Sequence, residues 1–75
     1  MYLKRLKELR EDNDLKQSNI ADLLQMKQPQ YARYETGKRD IPLDSLITLS
    51  NFYKTSTDYL LELTDESKPY PPKKQ

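Results

Sequence analysis

The chain has 75 residues, a mass of 8.9 kDa and a formal charge of only +1, with 35% hydrophobic and 33% charged residues. That is room for one small domain, apolar enough to form a core. Cys, His and Trp are absent, which excludes disulfides, thiolate or imidazole metal sites, a thiol nucleophile and the commonest general base, so an enzyme is disfavoured from the outset.

Apolar residues recur at helical spacing along most of the chain. Leu3, Leu6 and Leu9 form an i, i+3 stripe on a first helix, expected over about residues 2–12. The Asp12-Asn13-Asp14 cluster ends it, because short polar side chains compete for backbone hydrogen bonds. A second helix is expected from Gln17 to about Gln25, with Ile20, Leu23 and Leu24 on one face and the small Ala21 beside them. A third should start near Gln28, where Pro29 suits the first turn. Tyr31 and Tyr34 are its inward pair, and it should stop at Thr36. The next residue, Gly37, is the only glycine, and a left-handed residue past a helix end favours glycine.

Pro42 biases Ile41 to an extended conformation and lets a fourth helix begin at once. Leu43, Leu46, Ile47, Leu49, Phe52 and Tyr53 give that helix a wide apolar stripe. Ser56 is expected to cap a short fifth helix, with Asp58 in its first turn and Tyr59, Leu60, Leu61 and Leu63 following. From Thr64 the pattern stops, and residues 64–75, with Pro69, Pro71 and Pro72, read as a disordered or extended tail. The expected architecture is therefore all-α: a compact five-helix domain over residues 1–63, then a flexible tail.

Charge is distributed unevenly although its sum is small. Lys4, Arg5, Lys7 and Arg10 cluster near the start, and Lys27, Arg33, Lys38 and Arg39 cluster mid-chain. Residues 58–66 carry only acids: Asp58, Glu62, Asp65 and Glu66. One basic face and one acidic end are expected, with the acids turned away from any polyanion. No apolar run approaches membrane-span length and no signal-peptide core follows Met1, so no membrane role and a cytoplasmic location are expected.

The stretch Gln17 to Gly37 carries the functional signal. Two short helices meet across Gln25-Met26-Lys27, Ala21 permits their close crossing, and Ile20, Leu24, Met26, Tyr31 and Tyr34 face inward. That leaves Gln28, Gln30 and Arg33 on an outward polar face able to reach base edges. Arg10, Gln17-x-x-Ile20-Ala21-x-x-Leu24, Gln28, Tyr34-Glu35-Thr36-Gly37-Lys38-Arg39 and Asp58-Tyr59-Leu60-Leu61 follow in order. With these residues the chain resembles the Cro and lambda-repressor class of helix-turn-helix regulators, the XRE family, from about Leu3 to Thr64.

The resemblance implies a lambda-repressor-like domain that binds duplex DNA, with a motif over residues 17–36 and a recognition helix over about 28–36 lying in the major groove. It implies that Gln28 reads a base edge, suited to adenine, while Gln17 holds a phosphate and braces Gln28. Arg33 would meet a guanine or a phosphate, Gln30 a base or the backbone, and Pro29 a thymine methyl. Thr36, Lys38 and Arg39 would clamp phosphates. Arg10 and Glu35 would form a structural ion pair. Phe52, Tyr53, Leu60 and Leu63 are a candidate dimer surface, or else complete the monomer core, and a dimer would match a pseudo-palindromic site.

Three departures from the family pattern stand out. Gln25 occupies a turn position often held by glycine, Lys27 a cap position often held by serine, and Pro29 a groove-facing polar position. Lys68, Lys73 and Lys74 in the tail would add weak sequence-independent attraction or none. Tyr31 and Tyr34 could stack on single-strand bases, but their spacing points to the core. The leading reading is a transcriptional repressor needing no cofactor or small-molecule ligand. The competing one is a protein-interaction module, such as an antitoxin, built on the same fold.

Overall fold

The structure is a computed structural model and describes residues 1–71. Five helices follow in order: α1 Lys4–Asp12, α2 Gln17–Leu23, α3 Gln28–Glu35, α4 Leu43–Phe52 and α5 Thr57–Leu60. No strand occurs among the described residues. The all-helical reading therefore holds, with helix ends a residue or two inside those expected.

The stops share one physical cause. Past each helix the chain takes a left-handed residue: Asp14 (φ 56°), Gln25 (φ 58°), Gly37 (φ 79°), Lys54 (φ 56°) and Glu62 (φ 62°). Around Gln25 the Met26 N–H returns to the Ala21 carbonyl at 2.9 Å and the Gln25 N–H to Asp22 at 3.1 Å. These bonds satisfy carbonyls that the helix end would leave orphaned. The same paired closure ends α1, α4 and α5. A non-glycine residue in this region costs about 1 kcal/mol or more, so tertiary packing must hold each of the four. At Gly37 a second constraint applies, since a Cβ there would lie 2.9 Å from the Tyr2 Cα. The Ser56 hydroxyl accepts the Tyr59 N–H at 2.9 Å and starts α5, whereas Lys27 gives α3 no side-chain cap.

Leu3, Leu6, Ile20, Ala21, Tyr31, Tyr34, Leu46, Leu49 and Leu60 form the buried core. The stripe on α4 is wider than the face that packs. Leu46 and Leu49 are buried, while Leu43 (70%), Ile47 (45%) and Phe52 (45%) remain exposed. Leu23 on α2 is also exposed rather than sharing the inward face of Ile20.

The candidate dimer surface needs correction on the same grounds. Leu60 is fully buried under α1 and α4 and is no open contact, while Tyr53 is half-buried with its hydroxyl enclosed. Both complete the monomer core, because the left-handed turn after α4 folds α5 back across it. Phe52 and Leu63 stay outside.

Residues 64–71 form no helix, but they are tied to the domain. Arg5 lies over the Tyr59 ring at 3.9 Å and donates to the carbonyls of Tyr59 (2.7 Å) and Thr64 (2.6 Å) and to Asp65 (2.9 Å). The Thr55 hydroxyl donates to the Ser67 carbonyl at 2.6 Å, and the Tyr70 hydroxyl to Asp58 at 2.7 Å. Lys73 and Lys74 lie outside the described residues.

Candidate nucleic-acid interface

Helices α2 and α3 pack across the Leu24–Lys27 turn, with Ala21 (1% exposed) at the crossing. Burying Tyr31 and Tyr34 on the inner side of α3 removes them as stacking platforms. It also decides which residues of α3 turn outward. Gln28, Pro29, Gln30, Arg33 and Thr36 are exposed along one flank, and Lys38 and Arg39 are exposed just beyond.

The loop after α3 is folded back onto the helix. The Arg39 N–H donates to the Arg33 carbonyl at 3.2 Å, and the Thr36 hydroxyl donates to the same carbonyl at 3.3 Å. The two sites therefore belong to one surface. Gln30 is partly engaged, donating to the Tyr34 hydroxyl at 3.2 Å.

Electrostatics separate the two basic clusters. Lys4 sits 3.9 Å from Glu62, Arg5 2.9 Å from Asp65 and Arg10 2.7 Å from Glu35. Within the first cluster Lys4 and Arg5 are thus compensated by the acidic end, which lies against the start of α1, and Arg10 by Glu35. Among the described residues, no carboxylate pairs with Lys27, Arg33, Lys38 or Arg39. Those four unpaired cations lie on or beside the outer face of α3, where they raise the local potential for an anion. Lys27, exposed at the start of α3, belongs to this surface as a cation, although it supplies no side-chain cap.

Beneath the face runs a chain of polar contacts. Arg10 grips Glu35 through Nε (2.7 Å) and Nη2 (3.1 Å) and donates to the Leu15 carbonyl at 2.9 Å. Gln17 Nε2 donates at 3.2 Å to Glu35 Oε1, the oxygen that also accepts from Arg10 Nη2, and Gln28 Nε2 donates to Gln17 Oε1 at 2.7 Å. The chain thus passes from α1 to the exposed start of α3. The link between Glu35 and Gln17 has no signature in the spacing, because it requires α1, α2 and α3 to converge.

Burial would raise the Glu35 pKa, but the hydrogen bonds from Arg10 and Gln17 and the Arg10 charge outweigh it and hold the carboxyl below its usual range. Burial pushes the Tyr53 hydroxyl up to about 12 and raises Tyr31 well above the tyrosine range, with the Glu35 charge acting in the same direction. The Tyr53 hydroxyl has no hydrogen-bond partner among the described residues, and the Tyr31 hydroxyl is buried beside Glu35, whose carboxylate it helps to hold ionised.

A depressed folded pKa stabilises the fold above the unfolded value of about 4.3 and loses that contribution as pH falls through the folded one. Melting temperature is therefore expected to fall as pH drops below about 4. Glu35→Gln should make that acid limb shallower. An equally steep limb in the variant would place the titrating group elsewhere.

The helix-turn-helix family model matches residues 6–60. Three similar curated proteins come from Bacillus subtilis (strain 168). The uncharacterized HTH-type transcriptional regulator YobD is 36% identical over 92% of this chain and 62% of its own length. The uncharacterized HTH-type transcriptional regulator YqaE is 40% identical over 83% of this chain and 53% of its own. The HTH-type transcriptional regulator ImmR is 42% identical over 87% of this chain and 51% of its own. The chain thus spans between about half and three fifths of the length of these relatives. No solved structure matches at a significant level.

Proposed function

The chain belongs to the helix-turn-helix family of the XRE type, and on that premise we propose that it is a sequence-specific duplex-DNA-binding transcriptional regulator acting as a repressor in the cytoplasm. The observation that carries the reading is that the exposed polar flank of α3 is bordered by four cations without a carboxylate partner among the described residues, Lys27, Arg33, Lys38 and Arg39. Helix α3 enters the major groove. Gln28 reads an adenine through its donor and acceptor together, and Arg33 meets a guanine or phosphate. Gln30 touches a base or the backbone, and Pro29 a thymine methyl. Gln17, Thr36, Lys38 and Arg39 hold phosphates and set the register. Among the described residues no helix is long and apolar enough to cross a membrane.

On DNA the protein acts as a dimer over a pseudo-palindromic site, with recognition helices about 34 Å apart, one duplex turn. The exposed Phe52 and Leu63 supply its contact surface. A second reading rests on Leu43 and Ile47, one turn apart and exposed on α4. These suit a protein partner, as in an antitoxin, whose binding would survive Arg33→Ala.

Selection from a random duplex library at about 0.15 M salt tests the first reading, since weak nonspecific attraction is already screened there. A two-fold symmetric consensus is expected. Gln28→Ala or Arg33→Ala should each cost about 1–3 kcal/mol and relax preference at one base position. Lys38→Ala should weaken all sequences alike and reduce the log–log salt slope by about one. Wild-type affinity in both Gln28→Ala and Arg33→Ala would remove α3 as the contact element.

A further inference from the structure

We infer that Glu35 is a positioning residue that sets the base preference of α3 by fixing the direction of the Gln17–Gln28 amide pair. The inference rests on the reading of Gln28 as a base contact. Its starting point is an asymmetry of donors. An ionised carboxylate only accepts hydrogen bonds, whereas a glutamine amide has one accepting and one donating end and is symmetric enough in shape to turn over.

Glu35 is 3% exposed, and its two oxygens are held by Arg10 Nε and Nη2. The third donor to reach it is Gln17 Nε2, at 3.2 Å. Because Glu35 offers only acceptors, Gln17 must turn its NH2 inward, which directs its carbonyl oxygen toward Gln28. That oxygen accepts from Gln28 Nε2 at 2.7 Å. One N–H of Gln28 is thereby engaged, and the other N–H and the carbonyl oxygen remain free on the exposed flank. One donor beside one acceptor complements the N7 acceptor and N6 donor of adenine.

Reversing the pair would change the chemistry without moving the backbone. If Gln17 turned its oxygen inward, its NH2 would donate to the Gln28 oxygen. Both N–H groups of Gln28 would then face outward, and two donors suit the N7 and O6 acceptors of guanine. The charge on Glu35 is the element that forbids this reversal. Its folded pKa lies below the usual carboxylate range, as Arg10 and Gln17 outweigh burial, so the lock is in force at neutral pH.

The test compares paired duplexes that differ only by adenine or guanine at the position where Gln28→Ala relaxes the selected consensus. Wild type should prefer adenine there. Glu35→Gln keeps an oxygen for Arg10 Nε and offers an NH2 to Gln17, which favours the reversed pair. Its adenine-over-guanine ratio should fall at least about fivefold, within the discrimination that one bidentate contact carries.

Glu35→Gln also strands part of the Arg10 guanidinium, so the double variant Arg10→Met/Glu35→Met serves beside it. Exchanging a buried pair for apolar residues of similar volume is often neutral for folding. It should lower the same ratio by freeing Gln17 to turn, and it decides alone if Glu35→Gln does not fold. A purely structural Glu35 would lower affinity for both duplexes alike and leave the ratio unchanged. An unchanged ratio in these variants, or a wild-type preference for guanine, overturns the inference while leaving Gln28 as a base contact. If Gln28→Ala relaxes no position, the base-contact reading itself falls and the inference with it.

Discussion

Alanine at Arg10 is expected to destabilise the fold by about 3–5 kcal/mol, the cost of leaving a buried charge without its partner. A domain of this size has a total stability of only about 4–11 kcal/mol, so much of the variant would be unfolded at moderate temperature. Glu35 is 3% exposed and its pair with Arg10 is bidentate. Removal of the guanidinium leaves the buried carboxylate without a countercharge, faced only by the neutral Gln17 amide and the buried Tyr31 hydroxyl. The bond to the Leu15 carbonyl, which anchors the α1–α2 connection, goes with it.

Lys4 is the contrasting case. It is 52% exposed and 3.9 Å from Glu62, so solvent screening holds Lys4→Ala to about 0–1 kcal/mol. Urea or thermal unfolding separates the two, and similar midpoints would remove the pair's structural role. The double variant Arg10→Met/Glu35→Met should recover most of the loss, because it strands neither partner.

Leu60→Ala should cost about 2–5 kcal/mol, since it empties a fully buried site where α5 closes over α1 and α4. Leu63→Ala should change monomer stability by less than about 0.5 kcal/mol, because that side chain is 73% exposed. The two residues lie three apart in sequence, and the left-handed Glu62 between them turns Leu63 out of the line of α5, so the fold gives them opposite duties. If Phe52 and Leu63 mediate dimerisation, Leu63→Ala should instead weaken binding to a two-half-site duplex more than to a single half-site. A mild Leu60→Ala and a severe Leu63→Ala would reverse the assignment of core and surface.

Much of this was legible along the chain. The Leu3, Leu6 and Leu9 spacing, Pro29 in a first turn, Gly37 past a helix end and Ser56 as a cap each act within a few residues. Where such signals were strong, the helix lies where they put it. The left-handed Asp14, Lys54 and Glu62 were less visible, because nothing in those residue types demands that conformation. Their stops become favourable only when the following segment has a core to turn toward. The outward face of α3 was legible too, since Tyr31 and Tyr34 claimed the inner side.

Sequence by itself determined the helical class, the order of the elements and the helix-turn-helix identity, because periodicity, turn chemistry and motif spacing are local quantities. Tertiary packing alone decided that Leu60 is core while Leu43, Ile47 and Phe52 stay out, and that Lys4 and Arg5 compensate the acidic end. It also decided that Glu35 joins Gln17 to Arg10. Each of these depends on which of several chemically equivalent faces meets a segment far away in the chain, and no short-range pattern encodes that choice.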